Sequence, residues 1–169
     1  SRFASADNMT DRLAALTLLV HDHMPREEEA LAAYRERHTD SSLAMDKWFM
    51  VQATAPHEGT LDRVRALTAH PGFSAGNPNR VRALIGAFAT GNQSQFNRID
   101  GAGYIFVADF VEELDTRNPQ AAARLMSAFR SWRALEGRRR GLAEARLRAM
   151  ASRKDLSVDL ADIVTRCLQ

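Results

Sequence analysis

Apolar residues recur along this chain at intervals of three and four, the spacing of one helix face, and hardly anywhere in the two-residue alternation of a strand. Leu13, Leu16, Leu19 and Val20 make the first such stripe, with Thr10 placed to cap it. Pro25 suits the first position of a second helix, because its missing N–H would be unpaired there anyway. Glu27, Glu28 and Glu29 then meet the positive end of that helix's dipole, and Leu31 and Tyr34 turn inward. Asp40 or Ser41 opens a third helix that buries Leu43, Trp48, Phe49 and Gln52 and stops at Pro56. Thr60 caps a fourth with Leu61, Val64 and Leu67 inward, ended by His70-Pro71-Gly72. Asn77-Pro78 starts a fifth, whose apolar face is Val81, Leu84, Ile85 and Phe88.

Thr90-Gly91-Asn92 and Asp100-Gly101-Ala102-Gly103 read as loops around one helical turn at residues 95–97. A sixth helix over residues 104–115 buries Val107, Phe110, Val111 and Leu114. Asn118-Pro119 repeats the Asn-Pro start for a seventh, with Leu125, Phe129 and Trp132 inward. Gly137 and Gly141 loosen the next junction ahead of an eighth helix over residues 142–151. Ser157 caps the last, with Leu160, Ile163, Val164 and Leu168 inward.

Eight or nine helices on short turns must pack as antiparallel neighbours, either as a globular bundle or as a curved stack of helix pairs. The two Asn-Pro starts lie 41 residues apart, near the period of about 40–47 residues of helical repeats. The expectation is therefore one all-α domain over residues 1–169, a HEAT- or armadillo-like superhelical array of stacked antiparallel helix pairs.

Composition agrees. The 169 residues hold 28 Ala against 8 Val and 4 Ile, a balance that favours helix over sheet. No apolar run approaches the roughly 18 residues of a membrane span, so no membrane partner is expected. A lone cysteine, Cys167, makes no internal disulfide and excludes a cysteine-rich zinc site, which points to a reducing, cytoplasmic compartment. The chain starts at Ser1 without an initiator Met and reads as a segment of something longer.

Net charge conceals an asymmetry. Residues 1–116 carry 11 basic and 16 acidic groups, whereas residues 117–169 carry 12 and 5. The basic end suits nucleic acid, an anionic substrate group or an acidic neighbour. Within it Arg138, Arg139 and Arg140 have no assigned role. The nearby aromatics, Phe129 and Trp132, fall on the apolar side, so nucleic acid is not the expected partner.

Catalytic signatures are missing from the sequence. His21-Asp22-His23 cannot chelate one ion on a helix, since positions two apart face opposite ways and only four-apart pairs converge. No H-E-x-x-H or G-x-S-x-G occurs, and Cys167 is a poor candidate nucleophile. Glu112-Glu113 and the Glu27 to Glu29 run read as solvated helix faces. Gln120 and Arg124 stand out more: four apart after Pro119, they share a face beside the small side chains of Ala121, Ala122 and Ala123. Arg supplies a planar fork for a carboxylate and Gln both donates and accepts. By pattern alone they form either a surface salt bridge or a polar interface.

Five stretches bear a resemblance. They are Ala6-Asp7-Asn8-Met9-Thr10-Asp11-Arg12-Leu13-Ala14-Ala15-Leu16, Met45-Asp46-Lys47-Trp48-Phe49, Asn77-Pro78-Asn79-Arg80-Val81-Arg82-Ala83-Leu84-Ile85-Gly86-Ala87-Phe88, Asp100-Gly101-Ala102-Gly103-Tyr104 and Arg117-Asn118-Pro119-Gln120. In that order they resemble the C-terminal helical domain of the bacterial aminopeptidase N family. The resemblance implies a zinc metallo-aminopeptidase that removes N-terminal residues from peptides. It also implies that the zinc ligands and the catalytic Glu belong to an upstream catalytic domain of the same chain. These 169 residues would then bind no zinc and be inactive alone. The family's last domain closes a chamber over the active site, and its Gln and Arg on the matching helix make Gln120 and Arg124 substrate-binding residues on the leaving-group side. The alternative is a free-standing helical-repeat scaffold that binds a protein or nucleic acid through its basic end.

Overall fold

The computed structural model describes residues 8–169, so Ala6 and Asp7 of the first stretch lie outside the described residues. All regular structure among the described residues is helical, and the all-α expectation holds. No helix among them is long and apolar enough to cross a membrane. Contacts gather the chain into two compact units, Ser1–Asn92 and Gln93–Gln169.

The first unit holds α1 (Met9–His21), α2 (Glu27–Arg37), α3 (Ser42–Ala53), α4 (Thr60–Thr68) and α5 (Pro78–Val81). A π-helical stretch (Arg82–Gly86) and α6 (Ala87–Gly91) complete it. Its centre is α3, which packs against α1, α2, α4 and the π-helical stretch. Trp48 Nε1 donates to the Leu31 carbonyl at 2.9 Å, tying α3 to α2. Asn92 Nδ2 donates to the carbonyls of Ala53 and Ala55 at 3.0 and 2.7 Å, adding to the bonds that close the C-terminal end of α3. Arg80 and Asp46 form a 2.7 Å ion pair whose side chains are only 11% and 16% exposed.

Several starts differ from the pattern reading. Asn8, not Thr10, caps α1, its Oδ1 accepting from the Asp11 N–H at 2.8 Å; Asn is the better cap, and the helix takes it. Pro25 sits in the turn ahead of α2, because Arg26 is left-handed (φ 73°) and the helix begins only at Glu27. Gly59 precedes α4, and the Thr60 hydroxyl donates back to the Ala55 carbonyl at 2.7 Å instead of capping. Leu43 is 57% exposed, since Ala44, Trp48 and Val51 set the inward phase of α3. The Asn77 cap and the burial of Val81, Leu84, Ile85 and Phe88 are as expected. That helix nevertheless widens to π geometry in its middle, where it lies against α3.

His70, in the turn after α4, sits in a pH-sensitive setting. The Gly72 N–H donates to its Nδ1 at 2.9 Å, which leaves the ring proton on Nε2, 3.0 Å from Arg35 Nη1. Burial first, then the Arg35 charge, hold its pKa below the usual histidine value. The folded protein thus takes up a proton on this ring at a lower pH than the unfolded chain, which does so near pH 6.5. The stability this supplies is complete above that pH and is lost as pH falls through it. The urea midpoint is therefore expected to fall between about pH 7.5 and about pH 5.5, and to fall less in His70→Gln.

The second unit holds α7 (Gln93–Phe96), α8 (Ala102–Asp115), α9 (Pro119–Met126), a 3₁₀ segment (Ser127–Ala134), α10 (Gly137–Ala151) and α11 (Val158–Leu168). Phe96, Tyr104 and Phe129 form its aromatic centre, with Phe96 5.3 Å edge-on from each of the other two. The Tyr104 hydroxyl donates to Asn97 Oδ1 at 2.9 Å, and burial pushes its pKa up to about 12. Trp132 Nε1 donates to the Cys167 carbonyl at 2.7 Å. Asp115, itself buried, accepts from both the N–H and the hydroxyl of Ser157, the cap of α11.

Two expectations change here. Gly137 and Gly141 do not loosen a junction: α10 begins at Gly137, and Gly141 lies inside it. The Glu136 carboxylate accepts from the N–H groups of Arg138 and Arg139 at 2.9 and 2.8 Å, and Ala143, Leu147 and Met150 are buried. That burial outweighs the cost of about 1 kcal/mol for a helical glycine. On α11 the buried set is Leu160, Val164 and Cys167, with Ile163 and Leu168 half-buried; Phe110 on α8 is also only half-buried.

Candidate functional site

The candidate face is built on α9. Asn118 Oδ1 accepts from the Ala121 N–H at 3.0 Å and Pro119 fills the first turn, so two residues fix where the helix starts. Ala122, Leu125 and Met126 are buried and α9 packs on α8 and α11. That burial sets the rotation of the helix about its axis.

Gln120 and Arg124 consequently point outward. Both are exposed, four residues apart, and neither side chain has a hydrogen bond or ion pair among the described residues. Of the two pattern readings, the salt bridge is thereby not what this unit forms. An unpaired guanidinium and a carboxamide on one short helix face offer donors in a fixed direction. They suit a peptide carbonyl or terminal carboxylate, at roughly 1.5–3 kcal/mol for a charge-assisted bond.

Most of the basic stretch at residues 124–153 is used internally instead. Arg146 pairs with Asp109 and lies 3.1 Å from Glu112. Arg153 reaches Glu112 at 2.8 Å and Asp155 at 2.7 Å, and Arg148 reaches Glu144 at 2.7 Å. Arg139 Nε donates to the Asn97 carbonyl at 2.6 Å. Cys167 is buried, and burial pushes its thiol pKa up, away from nucleophilic use.

Sequence reasoning missed one grouping. His21 ends α1 with Nε2 3.1 Å from the Val51 carbonyl and Thr54 Oγ1, and it does not join His23. His23 instead meets Glu27 and His57. The four-residue step from His23 to Glu27 is legible in the sequence, but nothing local marks His57 as the third member.

This chain belongs to the helical family described as domain of unknown function (DUF3458_C) ARM repeats, whose profile matches residues 1–169. It is similar to the C-terminal part of bacterial aminopeptidases. It is 38% identical to Aminopeptidase N of Escherichia coli (strain K12) over 167 residues, 99% of this chain and 19% of that protein. Against Aminopeptidase N of Caulobacter vibrioides it is 37% identical over 167 residues, 98% of this chain and again 19% of the relative. Among solved structures it superposes on Legionella pneumophila aminopeptidase A, in complex with aspartic acid, with a TM-score of 0.93 and 31% identity. That match covers 99% of this chain and 20% of the other. The chain thus spans about a fifth of the length of the relatives it matches.

Proposed function

We propose that this chain is the C-terminal domain of a zinc-dependent aminopeptidase N that hydrolyses N-terminal residues from peptides. Its part is to close the substrate chamber and to present Gln120 and Arg124 to the leaving-group side of the scissile bond. The observation that carries this reading is the near-complete match of the chain to the C-terminal part of bacterial aminopeptidases, joined to an α9 face whose two polar side chains are unpaired.

In this reading the catalytic zinc belongs to the upstream catalytic domain, the partner of this one in the same chain, and supplies carbonyl polarisation and an activated water. A guanidinium repels a cation, so the α9 face fits substrate and not that metal. Arg124 holds a carbonyl or terminal carboxylate without titrating, and Gln120 donates or accepts beside it. In this reading the enzyme works in the cytoplasm. Internal pairing of Arg139, Arg146, Arg148 and Arg153 leaves the scaffold alternative, which needs a free basic end, with less charge to offer a nucleic acid.

The test is kcat/KM of the full-length enzyme and its Arg124→Ala variant on a dipeptide and on an alanyl chromogenic amide. A loss of about tenfold on the dipeptide is expected, about 1.4 kcal/mol of transition-state binding, with the amide less affected. Equal rates for variant and wild type on both substrates would make the α9 face a wall without contacts.

A further inference from the structure

In the first unit, the turn after α1, the start of α2 and the loop ahead of α4 converge on His23, Glu27 and His57. One ligand atom from each lies within 4.8 Å of the others. His23 Nδ1 stands 3.2 Å from Glu27 Oε2, and the two imidazole centroids are 4.8 Å apart.

Each group is presented with an electron pair to spare. His57 Nε2 lies 3.1 Å from the Val20 carbonyl, an acceptor, so the ring proton belongs on Nε2 and Nδ1 keeps its lone pair. Thr60 Oγ1 is 3.4 Å from that Nδ1 but gives its proton to the Ala55 carbonyl at 2.7 Å. Glu27 is only 7% exposed and divides its carboxylate. Oε1 accepts from Arg63 Nη2 at 2.7 Å, whereas the buried Oε2 takes no hydrogen bond. His23 is one of two non-glycine residues among those described with positive φ (50°), the other being Arg26 in the same turn. Backbone bonds from Met24 N to the Leu19 carbonyl (2.9 Å) and from Glu27 N to the Met24 carbonyl (3.2 Å) hold that turn.

We propose that His23, Glu27 and His57 form a three-ligand site for a divalent transition-metal ion of the zinc type, with water at the fourth position. Two imidazoles and one carboxylate match the borderline-soft preference of Zn²⁺ and not the all-oxygen preference of Mg²⁺ or Ca²⁺. The supports that usually orient ligands are already in place: a carbonyl on the far nitrogen of His57 and a guanidinium on the far oxygen of Glu27. The Arg63 charge next to the site is offset by Glu28, 2.7 Å from the same Nη2. Bound there, the ion pins the turn after α1 and the loop ahead of α4 to the first turn of α2. This departs from the expectation that the chain holds no metal.

The experiment is zinc content of the full-length protein containing this chain, after equilibrium dialysis against micromolar Zn²⁺, for wild type, His23→Ala and His57→Gln. The difference between proteins is read, so any zinc held elsewhere in the chain cancels. Wild type is expected to hold one equivalent more than either variant, and to gain thermal stability with added Zn²⁺ that both variants fail to gain. The His23 side chain is 71% exposed, so its removal leaves the fold intact and keeps the comparison fair. Equal zinc content in wild type and His23→Ala overturns the proposal, as does a zinc-dependent shift in melting temperature that the variants share.

Discussion

Gly103→Ala is expected to destabilise the fold by about 3 kcal/mol, the upper end of a typical overpacking cost of about 1–3. A Cβ at this position would overlap the Phe96 carbonyl oxygen and stand 2.7 Å from that of Gln95. Both obstacles are backbone, so no side-chain rotation relieves them. Moving α7 aside would displace Phe96 from its edge-on contacts with Tyr104 and Phe129. Helix propensity opposes this loss with a gain of up to about 1 kcal/mol, which is too small to reverse it. Gly141→Ala is the matched control: it lies inside α10 with nothing within 4 Å of the added atom. Propensity alone then acts, and a gain of about 0.5–1 kcal/mol is expected. Urea midpoints at unchanged slope measure both, and a Gly103→Ala protein as stable as wild type would show that α7 yields to the added methyl without cost.

Asp46→Ala carries the second large effect, a loss of about 3–5 kcal/mol, because it strands the buried Arg80 charge. Arg80 is held on three sides: the Asp46 carboxylate, the Ser42 carbonyl at 3.3 Å and the Phe49 ring, whose centroid lies 5.6 Å from Cζ. The Ser42 carbonyl and the ring remain in the variant but cannot neutralise the cation. In a double-mutant cycle, Asp46→Ala with Arg80→Ala is expected to cost much less than the sum of the single changes. Strict additivity would show that the two side chains do not interact. The exposed pair Arg26–Glu29, its side chains 79% and 65% exposed, gives the opposite limit, a solvent-screened contact whose removal is expected to leave the urea midpoint unchanged.

These two sites also show what was legible beforehand. Asp46 and Arg80 fall in two of the stretches that carry the family resemblance, yet their pairing spans 34 positions and has no local signature. Where the decisive interaction is local, the sequence suffices: Ser41, Asn77, Asn118 and Ser157 cap the helices expected of them. Thr10, Pro25 and Thr60 mislead because Asn8, a left-handed Arg26 and the Ala55 carbonyl compete for the same geometry. The Arg-rich stretch looks like a free cationic strip because its partners Asp109 and Glu112 lie 37 and 41 residues from Arg146 and Arg153. The outward direction of Gln120 and Arg124 follows from helix periodicity and buried neighbours. Their role in peptide binding does not; it rests on the resemblance. His57 stays hidden from sequence for the same reason as Arg80, a partner thirty or more positions away.

The link between Asp115 and Ser157 bears on how the second unit assembles. Helix α11 has 11 residues, below the length at which an isolated helix persists in water. Its capping hydroxyl accepts from the Leu160 N–H and gives its own proton to Asp115, at the C-terminal end of α8. The N-terminus of α11 is thereby tied to a carboxylate 42 positions earlier in the chain, and its full set of capping bonds exists only with α8 in place. The start of the last helix is thus anchored by a residue that belongs to another helix, so a change at Asp115 is felt at an end of the chain it does not adjoin.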